Sequence, residues 1–128
     1  MKIKHRKQDE LAKRAKLGFR GYPVATIAFY GPSAERASKV AVGIVEREGT
    51  EPAILETWHS EDRDVRKDDD IGYEIVGFIR AHHVLSVVVV DRIIGCPHEE
   101  GTDYPEGETC PECPYWRDRD RWSGEIIN

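Results

Sequence analysis

Apolar and polar positions fall into blocks along this chain. Val24–Tyr30 (VATIAFY) is β-branched and aromatic and stops at Gly31-Pro32, which reads as a strand ended by a breaker. Lys39–Glu46 (KVAVGIVE) reads as a second strand, with Gly43 marking a bulge or a close backbone approach. The intervening PSAERAS is too short for a crossover, so the two strands are predicted to pair as an antiparallel hairpin with an extended loop. Glu51-Pro52 opens a predicted short helix, with Pro52 at its first position and Ile54, Leu55 and Trp58 on its buried face.

Glu61–Asp70 holds six acidic and three basic residues and reads as a solvated connection. Asp68, Asp69 and Asp70 lack the alternating spacing and glycine turn of a calcium loop. A longer helix follows, because Ile71, Ile75, Phe78 and Ile79 share one face. An aspartate among 68–70 caps it, and Arg80, His82 and His83 close it. Leu85–Val90 (LSVVVV) is a nearly unbroken apolar run, the pattern of a strand buried on both faces. The predicted order β-β-α-α-β gives an α+β fold, a small mixed or antiparallel sheet with helices on one side. A C-terminal zinc-binding hairpin completes the expectation. The chain divides into a basic arm (1–20), a core (21–95) and a metal-binding segment packed on that core (96–128).

The composition of the 128 residues changes this picture in two places. The chain is polar (34% charged, mean hydropathy −0.59), which implies a modest core with polar appendages. The net charge of −5 is unevenly spread. Residues 1–20 carry Lys2, Lys4, Arg6, Lys7, Lys13, Arg14, Lys16 and Arg20 against Asp9 and Glu10, so the arm is +6 and the rest −11. A basic arm on an acidic body is a signature of attraction to nucleic acid, here RNA or a ribonucleoprotein, and also the look of a solvated tail. No run suits a membrane span and no apolar segment follows the charged start, so a cytoplasmic protein is expected. A second copy completing the sheet beside VVVV is a further expectation for partners.

Three cysteines at short spacing in a reducing compartment read as metal ligands sooner than as disulfides. Cys96-Pro97-His98 lies upstream of Cys110-Pro111-Glu112-Cys113, and Pro105 and Gly107 lie between as turn formers. A C-x-x-C turn presents two thiolates from one knuckle, and zinc takes four such soft or borderline donors in a tetrahedron. Cys96, His98, Cys110 and Cys113 are therefore the expected ligands of a structural Zn2+. Glu99, Glu100, His82, His83 and His59 are alternatives to His98 as the fourth.

His98-Glu99-Glu100 with the C-x-x-C also resembles the signature of zinc-dependent nucleobase deaminases. The Glu100–Cys110 interval is too short for that pattern, Thr109 stands where a proline precedes the first cysteine, and Cys96 is placed to fill the open coordination position. No nucleophile or phosphate cradle emerges, and Asp91, at the end of the apolar strand, is the best lone candidate for a functional carboxylate. Binding is thus favoured over catalysis, and no catalytic residue is assigned. Tyr115–Trp122 (YWRDRDRW) interleaves arginines with aromatics, which suits base stacking, but the alternating aspartates point instead to intramolecular pairing with the tryptophans packed on the sheet.

Gly95-Cys96-Pro97-His98-Glu99-Glu100-Gly101, Asp103-Tyr104-Pro105, Gly107-Glu108, Cys110-Pro111-x-Cys113 and Trp116 form one pattern, with Tyr22–Thr26 and Phe29–Pro32 upstream. In these residues the chain resembles a family of short bacterial proteins, over residues 21–122. The resemblance implies no activity.

Overall fold

The computed structural model describes residues 6–117 and 119, without the side chains of residues 6–9 and 91. Its elements run α1 (Arg6–Lys16), β1 (Val24–Tyr30), β2 (Lys39–Val45), β3 (Ile54–His59), α2 (Asp69–Ala81) and β4 (Ser86–Ile93). The protein is α+β, with a mixed sheet ordered β3-β2-β1-β4. β1 and β2 are the expected antiparallel pair, from Val24 opposite Val45 to Tyr30 opposite Lys39. β4 runs parallel to β1. No helix among the described residues is long and apolar enough to cross a membrane.

Alternation along the strands sorts residues onto two faces. Ala25, Ile27 and Phe29 of β1 and Val40, Val42 and Ile44 of β2 are buried, as are Ile75, Val76 and Ile79 of α2. Together with Leu11 of α1 they form one core. The opposite face is covered only in part, and Leu55 and Val88 are exposed there. Gly43 pairs in register, and the close approach foreseen for it is real: a Cβ there would stand 3.2 Å from Thr26 Oγ1 and 3.3 Å from Pro52.

Three sequence expectations need correction. The helix foreseen after Pro52 is instead β3, antiparallel to β2 with Trp58 opposite Val40. Ile54, Glu56 and Trp58 alternate along it, and a segment this short gains more by pairing with a free strand than from an isolated helical turn. Pro52 sits just before the strand, where its missing N–H costs no ladder bond. Trp58 leans on Phe78 edge to face and donates from Nε1 to Glu74 (2.9 Å), which ties β3 to α2.

The LSVVVV strand is also not buried on both faces. It borders the sheet among the described residues, and helices cover one face only, so Val87 is buried while Val88 is half-exposed. Finally, the acidic connection is anchored. Val65 is fully buried, worth about 1.5–3 kcal/mol for a side chain of this size. Asp64 beside it accepts from the amides of Ala37 (3.1 Å) and Arg66 (2.9 Å) and from the Arg66 guanidinium (2.7 and 2.9 Å). Burial pushes the Asp64 carboxyl up, but these donors together outweigh it and hold the group below its ordinary value.

The cap expected for α2 is Asp68, which accepts from the Ile71 amide at 3.1 Å. At the far end His83 turns left-handed (φ 55°) and Val84 N–H returns to the Ile79 carbonyl.

Candidate metal centre

The site begins where β4 leaves the sheet. The β1–β4 ladder is regular from Val24 opposite Ser86 to Ile27 opposite Val89, then resumes with Phe29 opposite Ile93. Ile94 N–H donates to Phe29 (2.9 Å) and Gly31 N–H to Gly95 (2.8 Å), so the strand is held to β1 until one residue before Cys96. Asp91 lies in this irregular stretch, and its side chain is outside the described residues.

From Cys96 the chain makes two bends. In the first, His98 N–H donates to Cys96 Sγ at 3.2 Å. In the second, Cys113 N–H returns to the Cys110 carbonyl at 3.3 Å, forming the C-x-x-C knuckle. The loop between them is braced internally. Glu99 N–H donates to Asp103 (2.7 Å), Gly101 N–H to the Tyr104 carbonyl (2.7 Å) and Gly107 N–H to the Glu100 carboxylate (2.6 Å).

Two side chains fasten this unit to the sheet. Trp116 Nε1 donates to the Gly31 carbonyl (2.7 Å) from a 3-10 turn at Pro114–Trp116. Lys39 Nζ donates to the Pro97 carbonyl (3.1 Å) while lying 5.4 Å from the centre of the Tyr30 ring. Gly31 is the hinge of the anchorage: a Cβ there would fall 1.9 Å from the Arg36 carbonyl.

One donor atom from each of Cys96, His98, Cys110 and Cys113 lies within 4.8 Å of every other, so the four can hold a metal ion. His98 Nδ1 is 3.2 Å from Cys96 Sγ, 3.4 Å from Cys110 Sγ and 3.6 Å from Cys113 Sγ. Metal–ligand bonds of about 2.3 Å to sulfur and 2.0–2.1 Å to nitrogen in a tetrahedron require N···S edges of roughly 3.5 Å. The inward nitrogen is therefore Nδ1. Nε2 faces outward, 3.7 Å from the Glu112 carboxylate.

Cys110 and Cys113 are buried and Cys96 partly so. Burial, and then the neighbouring sulfurs, push the Cys113 thiol well up, and burial pushes Cys96 the same way. A cation among them would reverse that preference, because a coordinating thiol is deprotonated outright.

None of the alternatives to His98 belongs to the four-donor cluster. His82 meets Phe78 edge to face at 4.7 Å as the cap of α2, and His83 follows it in a left-handed conformation. His59 ends β3, outside the set, and Glu100 is committed to its own loop. In the basic arm, Lys13, Lys16 and Arg20 are exposed, while Arg14 pairs with Glu10 (3.4 Å), which also reaches Arg80 (3.1 Å). Lys2 and Lys4 lie outside the described residues, as do the side chains of Arg6 and Lys7. Trp116 packs against the core, and Arg119 lies over the Tyr115 ring at 4.2 Å, an intramolecular stack. Asp118, Asp120, Arg121 and Trp122 are outside the described residues. Lys39 and Gly31 as anchors carried no sequence signal beyond the Gly-Pro turn.

No protein-family model, no curated protein and no solved structure matches this chain.

Proposed function

We propose that Cys96, His98, Cys110 and Cys113 bind one structural zinc ion, and that the zinc-pinned domain is a binding module rather than an enzyme. The spacing of His98 Nδ1 to the three sulfurs carries this reading, because it suits zinc bonds to all four donors at once. Four protein ligands leave no position for a water, and a catalytic zinc needs one. The glutamate a deaminase would use as its proton carrier, Glu100, is bound to the Gly107 amide instead. Reduced thiolates of this kind are compatible with the cytoplasm. Elemental analysis of reduced, tag-free protein tests the metal. One zinc per chain is expected, with a more than roughly 100-fold loss of affinity in Cys110→Ser, since even outer-shell partners are worth 10–100-fold. Wild-type protein empty of metal and indifferent to chelator would refute it.

For the partner, the distribution of charge supports RNA or a ribonucleoprotein at the α1 end. Arg20 N–H bonds Ser86 at the start of β4, and the metal loop leaves from its other end. Residues 96–113 contain Glu99, Glu100, Asp103, Glu106, Glu108 and Glu112 and no lysine or arginine. Phosphates would be turned away there and drawn to Lys13, Lys16 and Arg20. Anisotropy titrations with RNA oligomers should weaken steeply with salt. Flat curves at low salt would remove this partner.

A further inference from the structure

A groove of about 350 Å3 runs between the β1–β2 loop, the end of β3 and the metal knuckle. It is lined by Arg36 and Ser38 on one side, Ser60 and Glu61 on the second, and Glu112 and Cys113 on the third. The first two walls are joined by Ser60 N–H donating to the Ser38 carbonyl (2.9 Å), so the groove is built by the sheet. Arg36, one of its lining residues, has its Nη1 atom buried without a hydrogen-bond acceptor among the described residues. An orphaned guanidinium N–H2 is costly, and in native proteins such a group commonly awaits a water, ion or ligand.

We infer that this groove binds a small zwitterion of the amino-acid or short-peptide class, its carboxylate on Arg36 and its ammonium toward Glu61 and Glu112. Charge decides between this and a simple anion. The chain is net negative, and Glu61 and Glu112 are exposed on the groove walls, so a phosphate or carboxylate alone would meet repulsion on two sides. A ligand carrying both charges uses both. Arg36 offers the paired N–H donors that match a carboxylate, and the Ser38 and Ser60 hydroxyls can serve the polar backbone between. The volume lies at the small end of ligand pockets and suits a dipeptide better than a nucleotide. Because Cys113 and His98 belong to the third wall, the inference rests on the metal reading above.

Amide chemical-shift titration of full-length, zinc-assayed protein with Ala-Ala, its C-terminal amide and its N-acetyl derivative tests it. Ala-Ala should shift Ser38, Ser60 and Glu61 at millimolar concentration, and both blocked forms should bind at least tenfold more weakly. A retained acetylated form with a lost amide would instead mark a protein C-terminus as the ligand, and would overturn the zwitterion. In Arg36→Gln, with zinc content unchanged, the preference for a free carboxylate should vanish. Absence of shifts at 20-fold higher Ala-Ala in zinc-loaded protein would overturn the groove alone. Absence of shifts in protein that carries no zinc would overturn the metal reading and the groove together.

Discussion

The indole of Trp116 and the carbonyl of Gly31, 85 residues apart in sequence, are joined by a 2.7 Å hydrogen bond. This contact fastens the metal segment to the end of β1, next to the backbone bond from Gly31 N–H to Gly95. Trp116→Phe keeps most of the apolar contact and removes the donor, leaving a carbonyl unsatisfied. A loss of about 1–2 kcal/mol is expected in urea unfolding. Zinc stoichiometry should stay at one, while release to a chelator accelerates.

Gly31→Ala should be worse. Its Cβ would overlap the Arg36 carbonyl, and backbone cannot yield as a flexible side chain does. Roughly 2–4 kcal/mol of destabilisation is expected, at the upper end for single substitutions. Thermal unfolding beside Gly49→Ala, where a Cβ meets open space but φ is +77°, separates the clash from backbone strain. Equal losses in the two variants would contradict the argument.

Asp64 gives the protein an acid-sensitive bolt. Its folded pKa lies below the unfolded value, so its contribution is complete above about pH 4 and is lost as pH falls through the folded value. Asp64→Asn should be less stable than wild type at pH 6, and the gap should close toward pH 2. Denaturation curves across that range provide the check, and a gap constant with pH would exclude an ionic role. Any metal loss in acid is common to both proteins and cancels in the difference.

Glu112 stands 3.7 Å from His98 Nε2 on the outer side of the ring. A carboxylate there favours the tautomer with Nε2–H and leaves Nδ1 free for metal. Competition with a chromophoric chelator should show Glu112→Gln weaker in zinc binding by up to about tenfold, because Glu112 is exposed. His98→Ala should cost far more. A Glu112→Gln affinity equal to wild type would remove the outer-shell role.

Elements whose own pattern sufficed were legible in the sequence. β1 and β2 carry β-branched runs and a Gly-Pro stop, α2 repeats isoleucines on one face behind an aspartate cap, and the cysteine spacing already named three donors, with His98 the first of several choices for the fourth. β3 is not legible as a strand because a proline followed by Ile54, Leu55 and Trp58 fits a helical face as well as an alternating strand. The free edge of β2 that decides between them is a tertiary fact. The exposure of Val88 was likewise hidden, since four valines look alike whether covered on one face or two. Asp64 and Val65 vanished into a run of charges because their partners, Ala37 and the core, are distant in sequence. Which nitrogen of His98 turns inward depends on ring orientation and leaves no trace in residue spacing.

The slip in the β1–β4 ladder restricts how the gene encoding this chain can change in length. Val87 and Val89 oppose Ala25 and Ile27, and after the slip Ile93 opposes Phe29, still buried. Two residues are taken up, an even number, so the inward and outward assignment survives the interruption. Removing a single codon at 90–91 would invert every later side chain of the strand and carry Ile93 outward. Removing both would preserve the phase and draw the first cysteine toward the sheet. Parity, more than the identity of the inserted residues, is what the downstream half of the molecule depends on.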